Sequence, residues 1–192
     1  IIANIEENRG DSQPFFAYLA LQAPHDPLQL PEDWRDRYAG RYDIGYDEVR
    51  AQRIARMKDL GLLPPDAVAF PRLPTIPAWT DLGPQDQRES ARKMELFAGM
   101  VENMDANIGT LIGYLKTEGL YDNTVIIFLS DNGPEGTSFA VGAPWDNSRF
   151  EDWGAKGTFI QYGAAWAQVG AGPFRMFKGY LSEGGIRTPL II

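Results

Sequence analysis

Four side chains in this sequence have types and settings that could do chemistry together: His25, Asp131, Asn132 and Lys178. Asp131 and Asn132 close the stretch Thr124 to Gly133, TVIIFLSDNG, in which the apolar run Val125–Leu129 passes directly into a serine, a carboxylate and a carboxamide. Asp, Asn and Gly are common wherever a strand stops, because Asx side chains bond their own backbone and glycine accepts positive φ. Taken alone, then, these residues read most simply as a turn. As ligands, a carboxylate and a carboxamide supply hard oxygens, which suit Mg²⁺ or Ca²⁺ better than zinc. His25, the only histidine, stands in APHDP, where Pro24 and Pro27 stiffen the backbone around it. An imidazole titrates near neutral pH, so general acid work is within its means. Lys178 precedes a glycine in FRMFKGYLSEGGIRTP, and Gly184–Gly185 let the backbone fold tightly before the apolar end of that stretch. An ammonium, a histidine and a divalent cation together describe a site for a polyoxyanion ester. Taken singly, each residue has an ordinary account, a packed histidine or a solvated lysine.

The elements that must position these groups alternate between strand and helix. PFFAYLALQAPH holds a continuous apolar run, Phe15–Leu21, suited to a strand covered on both faces, and it delivers His25 just beyond its end. From Pro31 to about Pro84 the chain is irregular and rich in Pro, charge and aromatics. A short helix is expected there over Asp47–Leu60, closed by Gly61 and Pro64. From Gln85 to Lys116 the residues Met94, Phe97, Val101, Met104, Ile108, Leu111 and Leu115 recur at spacings of three and four, which predicts one long amphipathic helix packing through that stripe. Within it, NMDANIG at Asn103–Gly109 superficially resembles a calcium loop. Its glycine comes one residue late, however, and Tyr114 stands where the bidentate Glu belongs, so that site is rejected. A strand, a long crossover with a helix and a second wholly apolar strand predict an α/β fold with Phe15–Leu21 and Val125–Leu129 parallel in one sheet. Ligands in such sheets gather beyond the carboxyl ends of the strands. His25 and the Asp131–Asn132 pair both fall there, which favours a site over two unrelated turns.

Composition bounds the partners. With 192 residues and 44% hydrophobic content the chain can bury one sizeable core. A net charge of −8 argues against nucleic acid or an anionic membrane as a partner. No apolar run approaches the roughly 20 residues that span a bilayer. The absence of cysteine excludes disulfides and thiolate metal sites. The first residue is not Met and the chain closes on TPLII, so the whole, residues 1–192, is expected to be an internal segment of a single catalytic domain, truncated at both ends. A cut sheet edge would pair with another copy, giving self-association.

Three stretches, AGMVENMDANIGTLIGYLKTEGLYDNTVIIFLSDNG, FIQYGAAWAQVGAGPFRMFKGYLSEGGIRTP and LALQAPHDPLQLP, together resemble the middle of a type I sulfatase of the bacterial arylsulfatase kind, in the alkaline phosphatase superfamily. The resemblance implies a three-layer sandwich with a mostly parallel sheet, incomplete in this chain, and hydrolysis of sulfate esters to an alcohol or phenol plus sulfate. It also implies that Asp131 and Asn132 ligate a divalent cation, calcium with magnesium as the alternative. His25 would contact the sulfate ester and protonate the leaving oxygen, and Lys178 would bind sulfate and help neutralise the leaving group. A periplasmic or extracellular location follows from the same resemblance.

The family's nucleophile is a formylglycine made from Cys or Ser within Cys/Ser-x-Pro-x-Arg, and the 192 residues contain no such motif. The one Ser-x-Pro, at Ser12, has Phe16 where the arginine belongs. The formylglycine is therefore expected upstream, together with the paired aspartates that complete the metal site, and the segment alone is expected to be inactive. Two other readings stay open at this point. One is a phosphonate monoester or phosphodiester hydrolase of the same superfamily. The other is a non-catalytic chain that binds anions or a partner.

Overall fold

A computed structural model describes residues 1–9 and 13–192. Its helices are α1 (Ile2–Glu7), α2 (Gly45–Asp59), α3 (Pro84–Thr117), α4 (Gly163–Ala171) and α5 (Glu183–Ile186), and its strands are β1 (Phe128–Leu129) and β2 (Leu190–Ile191). The Ser-x-Pro at Ser12 begins outside the described residues. Among those residues no helix is long and apolar enough to cross a membrane.

α3 begins where Pro84 supplies a pre-set φ at the first helical position, and it matches the expected span to within a residue at each end. α2 ends as Gly61 (φ +70°) turns into the left-handed region. There Gly61 N–H donates to Lys58 O at 2.9 Å and Leu62 N–H to Met57 O at 2.9 Å, the paired bonds that satisfy a helix's last carbonyls. The rejected calcium loop lies wholly inside α3.

Two apolar clusters sit on either side of α3. Leu96 and Met100 pack with Leu28, Leu30, Trp153 and Ile160. Met94 joins the second cluster, built around Trp166, whose ring meets Tyr42, Tyr46 and Trp79 at centroid distances of 5.5, 5.8 and 6.5 Å. Trp166 Nε1–H donates to Ser90 O at 2.9 Å, so the buried indole is satisfied on α3 itself. The buried face of α3 agrees with the stripe read from the sequence only in part: Leu115 is buried and Met94 and Phe97 pack against the clusters, but Ala91, Leu96, Ala98, Gly99 and Met100 are buried outside the stripe and Val101 is exposed. Small residues let neighbours come close on more than one side, and a Cβ on Gly99 would already lie 3.1 Å from Trp34 O. Periodicity marks one apolar face and cannot show that the helix's first half is enclosed.

The strand pairing also departs from expectation. Phe15–Leu21 forms no strand among the described residues, and Phe16 is 93% exposed. Of Val125–Leu129 only Phe128 and Leu129 pair, and they pair antiparallel, Phe128 with Ile191 and Leu129 with Leu190. The parallel pair of Phe15–Leu21 with Val125–Leu129 is thus not formed, and the described sheet has two strands, not the layers of a sandwich. An apolar run reports that a segment is to be covered but does not say which segment lies beside it. Part of the cover is in place: Leu19, Leu21 and Ala23 line a shallow apolar groove with Met104, Ile108 and Leu111 of α3.

Two substitutions on α3 are expected to move stability in opposite directions. Leu96→Ala should cost about 2–5 kcal/mol, since its side chain is fully buried in the first cluster. Gly109→Ala, exposed in mid-helix with open space at its Cβ, should gain about 0.5–1 kcal/mol. Chemical denaturation of both variants checks the helix register; a destabilising Gly109→Ala would contradict it.

Candidate functional site

Two loops meet through glycine. The loop after β1 is joined to α5 by Gly133 N–H to Gly185 O at 2.9 Å and to the loop before α5 by Lys178 N–H to Pro134 O at 2.9 Å. Gly184 N–H donates to Arg175 O at 3.0 Å, closing the second loop on itself. A Cβ on Gly133 would run into Gly184 O, one on Gly184 into the carbonyls of Met176 and Arg175, and one on Gly185 into Tyr180 O. Only hydrogen at these positions permits the approach, and the approach sets Lys178 beside the residues that follow Asn132.

Lys178 Nζ then reaches two partners. It lies 2.8 Å from His25 Nε2 and 3.0 Å from Glu135 Oε2. His25 Nδ1 lies 2.8 Å from the carbonyl oxygen of Asp26 and 2.6 Å from Asp26 Oδ1. The ring N–H points along the carbonyl. Oδ1 is closer but off that line, and it is buried with no aligned donor. These contacts assign the ring proton to Nδ1 and leave Nε2 to accept from the ammonium. An ammonium has three N–H bonds; two are directed at His25 and Glu135, and among the described residues nothing takes the third. Asp26 Oδ2 accepts from Gln161 Nε2 at 3.0 Å, and the Asp26 side chain is only 7% exposed. His25 itself is half-exposed, so an anion can reach the pair.

Electrostatics follow the same line. Burial pushes the Glu135 carboxyl up, but hydrogen bonds from the Thr137 amide (2.7 Å) and hydroxyl, with the Lys178 ammonium, outweigh it and hold the group below the usual carboxylate range. Burial drives the Tyr162 phenol well above its ordinary value, with the Glu135 and Asp26 charges adding to the effect, so it stays protonated.

Asp131 and Asn132 sit in the loop just past β1. Asn132 Nδ2 donates to Gly133 O at 2.8 Å, and its Oδ1 accepts no hydrogen bond among the described residues. Asp131 is exposed and has no hydrogen-bond or ion-pair partner among the described residues. A free carboxylate and a free amide oxygen on adjacent residues fit a hard divalent cation as part of its shell. Among the described residues no cluster of three or more His, Asp or Glu could hold a metal, and calcium takes about six to eight oxygens. The structure brings His25 and Lys178 into contact; Asp131 and Asn132 are tied to Lys178 only through the backbone of Gly133 and Pro134.

Sequence reasoning missed Asp26, Glu135 and Gln161. Asp26 lies inside the PHDP motif, and a carboxylate directly after a histidine is the sequence signal for an oriented ring. Glu135, three residues after Asn132, gave no local sign, because its partner is brought in by the glycine contact.

The sulfatase family model matches residues 1–192. Among curated proteins, an uncharacterised sulfatase of Schizosaccharomyces pombe is 45% identical over 97% of this chain and 35% of its own length. An arylsulfatase of Klebsiella aerogenes is 43% identical over 94% of this chain and 40% of its own length. A sulfatase of Formosa agariphila is 27% identical over 73% of this chain and 27% of its own length. The chain therefore spans well under half the length of the curated relatives it matches.

Glu135 yields a pH signature. Its folded pKa lies below its ordinary value of 4.5, so the stability it contributes is complete above about pH 4.5 and is lost as pH falls through the lower folded value. Glu135→Gln should lower the melting temperature at neutral pH, and the gap to the parent should close on acidification below about pH 4.5. Melting curves across that range check this; a gap that stays constant would show that Thr137 and Lys178 do not hold the Glu135 carboxylate in the folded state.

Proposed function

The chain belongs to the sulfatase family, and we propose that it supplies the anion-binding and leaving-group side of a sulfuric ester hydrolase, an arylsulfatase in the intact protein. The observation that carries this reading is the Lys178 ammonium, braced by Glu135 and His25 with one N–H free for an incoming oxyanion. A sulfate monoester presents oxygens that accept such a bond, and a charge-assisted bond from a fixed ammonium strengthens as negative charge grows during S–O cleavage. His25 stands at the same nitrogen; protonated on Nε2 it would donate that proton to the departing oxygen and return to the neutral ring with its lone pair facing Nζ. The Asp26 carbonyl holds the opposite ring nitrogen and keeps Nε2 turned toward Lys178.

Asp131 and Asn132 would hold a divalent cation, calcium first and magnesium second, with the remaining ligands coming from outside these residues. When bound, the cation supplies Lewis-acid stabilisation of sulfate oxygens. The nucleophile, a formylglycine by family resemblance, also lies outside these residues. Residues 1–192 are one segment of a single catalytic domain with an alkaline phosphatase-like α/β sandwich and a mostly parallel sheet. This is supported by the packing of Leu19 and Leu21 along α3 and by the exposed apolar Val125 and Ile127. A periplasmic or extracellular location belongs to the same reading.

The test uses the intact protein, assayed on matched aryl sulfate and aryl phosphate. Turnover should favour the sulfate, and the isolated 192 residues should show none. His25→Ala should lower kcat by about 10²–10⁴-fold with poor leaving groups and by much less with nitrophenol, which needs little protonation. Asp131→Ala should cost at least as much with every leaving group, because charge stabilisation is lost whatever departs. A uniform His25→Ala loss across the series would remove His25 from proton transfer, and phosphate preference would overturn the sulfatase reading.

A further inference from the structure

Among the described residues, Asp26 Oδ1 is the one carboxylate oxygen buried without an aligned donor. A carboxylate taken out of water is costly unless its oxygens are matched, so an orphaned one points to a partner that arrives in another state of the site. The other oxygen is matched. Asp26 Oδ2 accepts from Gln161 Nε2 at 3.0 Å, and Gln161 Oε1 accepts the Phe139 N–H at 3.2 Å, which fixes that carboxamide in turn. Leu28 N–H donates to Ile160 O at 2.9 Å, tying the segment that carries Gln161 to the histidine loop. The Asp26 carboxylate is thus held from outside its own loop, with Oδ1 left 2.6 Å from His25 Nδ1.

A carbonyl is enough to orient a neutral ring, and the Asp26 carbonyl does so at 2.8 Å. It cannot balance a charge. When His25 acts as an acid, both ring nitrogens carry protons and the ring is a full cation beside the Lys178 ammonium, whose Nζ stands 2.8 Å from Nε2. Two cations that close repel, and more so where water is partly excluded. Glu135 does not relieve the ring, because its carboxylate is taken by Lys178 at 3.0 Å and by the Thr137 amide at 2.7 Å. The Tyr162 phenol, which feels the Glu135 and Asp26 charges, stays protonated and neutral. Asp26 is the carboxylate that remains to answer the ring.

We propose that Asp26 is the positioning residue for His25: its carboxylate is the counter-charge for the imidazolium, and Oδ1 takes the Nδ1–H as the ring becomes charged. This rests on the reading of His25 as the acid for the departing oxygen. As the S–O bond breaks, its electron pair stays on that oxygen, which takes the Nε2 proton. The ring then returns to neutral and its Nδ1–H to the carbonyl. Asp26 touches neither the ester nor the moving proton and acts only through the ring. Gln161 belongs to the same arrangement, since holding Oδ2 aims Oδ1 at Nδ1.

The experiment pairs Asp26→Asn with His25→Ala in the intact protein, over sulfate esters whose leaving groups rise in basicity. Asparagine keeps the shape and an oxygen for Gln161, but it sets an amide N–H toward Nδ1, so the charge and the acceptor are lost together. With poor leaving groups kcat should fall by about 10²-fold, the low end of what a proton donor supplies, with KM nearly kept and little loss for nitrophenol. In the His25→Ala background Asp26→Asn should add nothing. Gln161→Leu, which frees the carboxylate without removing it, should show the same dependence at about three- to tenfold, and it carries the test should Asp26→Asn not fold. Equal loss with every leaving group, losses that multiply with His25→Ala, or full activity in Asp26→Asn each overturn the proposal. Nitrogen NMR of the His25 ring needs no turnover: the neutral ring of the parent should carry its proton on Nδ1, and that of Asp26→Asn should move it toward Nε2. An unchanged tautomer also overturns the proposal. If the tautomer shifts yet His25→Ala costs the same with every leaving group, Asp26 still positions the ring and the acid reading of His25 falls.

Discussion

The site depends on a backbone contact before it depends on any side chain. Gly133 lies against Gly184 and Gly185 so closely that any Cβ would collide with a carbonyl, and the Gly133–Gly185 and Lys178–Pro134 hydrogen bonds close the gap. That contact joins the loop carrying Asp131, Asn132 and Glu135 to the loop carrying Lys178. Without it, Lys178 would be a flexible surface cation, with most of its rotamer entropy to lose on binding an anion. With it, the ammonium is held by its own main chain on one side and by Glu135 on the other.

A line of polar contacts then spreads from Lys178 across residues distant in sequence: Glu135, Lys178, His25, Asp26, Gln161 and the Phe139 backbone. Carboxylates flank the two cation-capable groups, so positive charge is concentrated without being left unpaired. That arrangement keeps an ammonium and an imidazole at 2.8 Å tolerable, since they share one proton rather than holding one each. It also leaves the pair partly open to solvent, as a site for an anionic ester requires.

The sequence was readable where one segment decides its own shape. α3 was legible because apolar periodicity from Met94 to Leu115, about six turns, leaves no competing conformation, and the end of α2 because Gly61 can take the left-handed turn that, with Leu62, satisfies its last carbonyls. His25 and Lys178 were legible as types in stiffened or glycine-flanked settings, and the arylsulfatase-like motifs around them pointed to the family. What could not be read were relations between segments. The partner of Phe128–Leu129 is Leu190–Ile191, not Phe15–Leu21, and nothing in two apolar runs distinguishes those cases. Glu135 became visible only once the glycine contact brought Lys178 to it, and Asp26 only once His25 had a fixed ring plane.

The central claim is that Lys178, braced by Glu135 and His25, is the group that receives the sulfate oxygens. Calorimetric titration of the intact protein and its Lys178→Met variant with inorganic sulfate tests it most directly, because it needs neither turnover nor a leaving group. The account predicts that affinity falls at least about tenfold in the variant, in keeping with loss of a charge-assisted hydrogen bond from a partly desolvated ammonium. Unchanged sulfate affinity in a variant that still melts like the parent would contradict it.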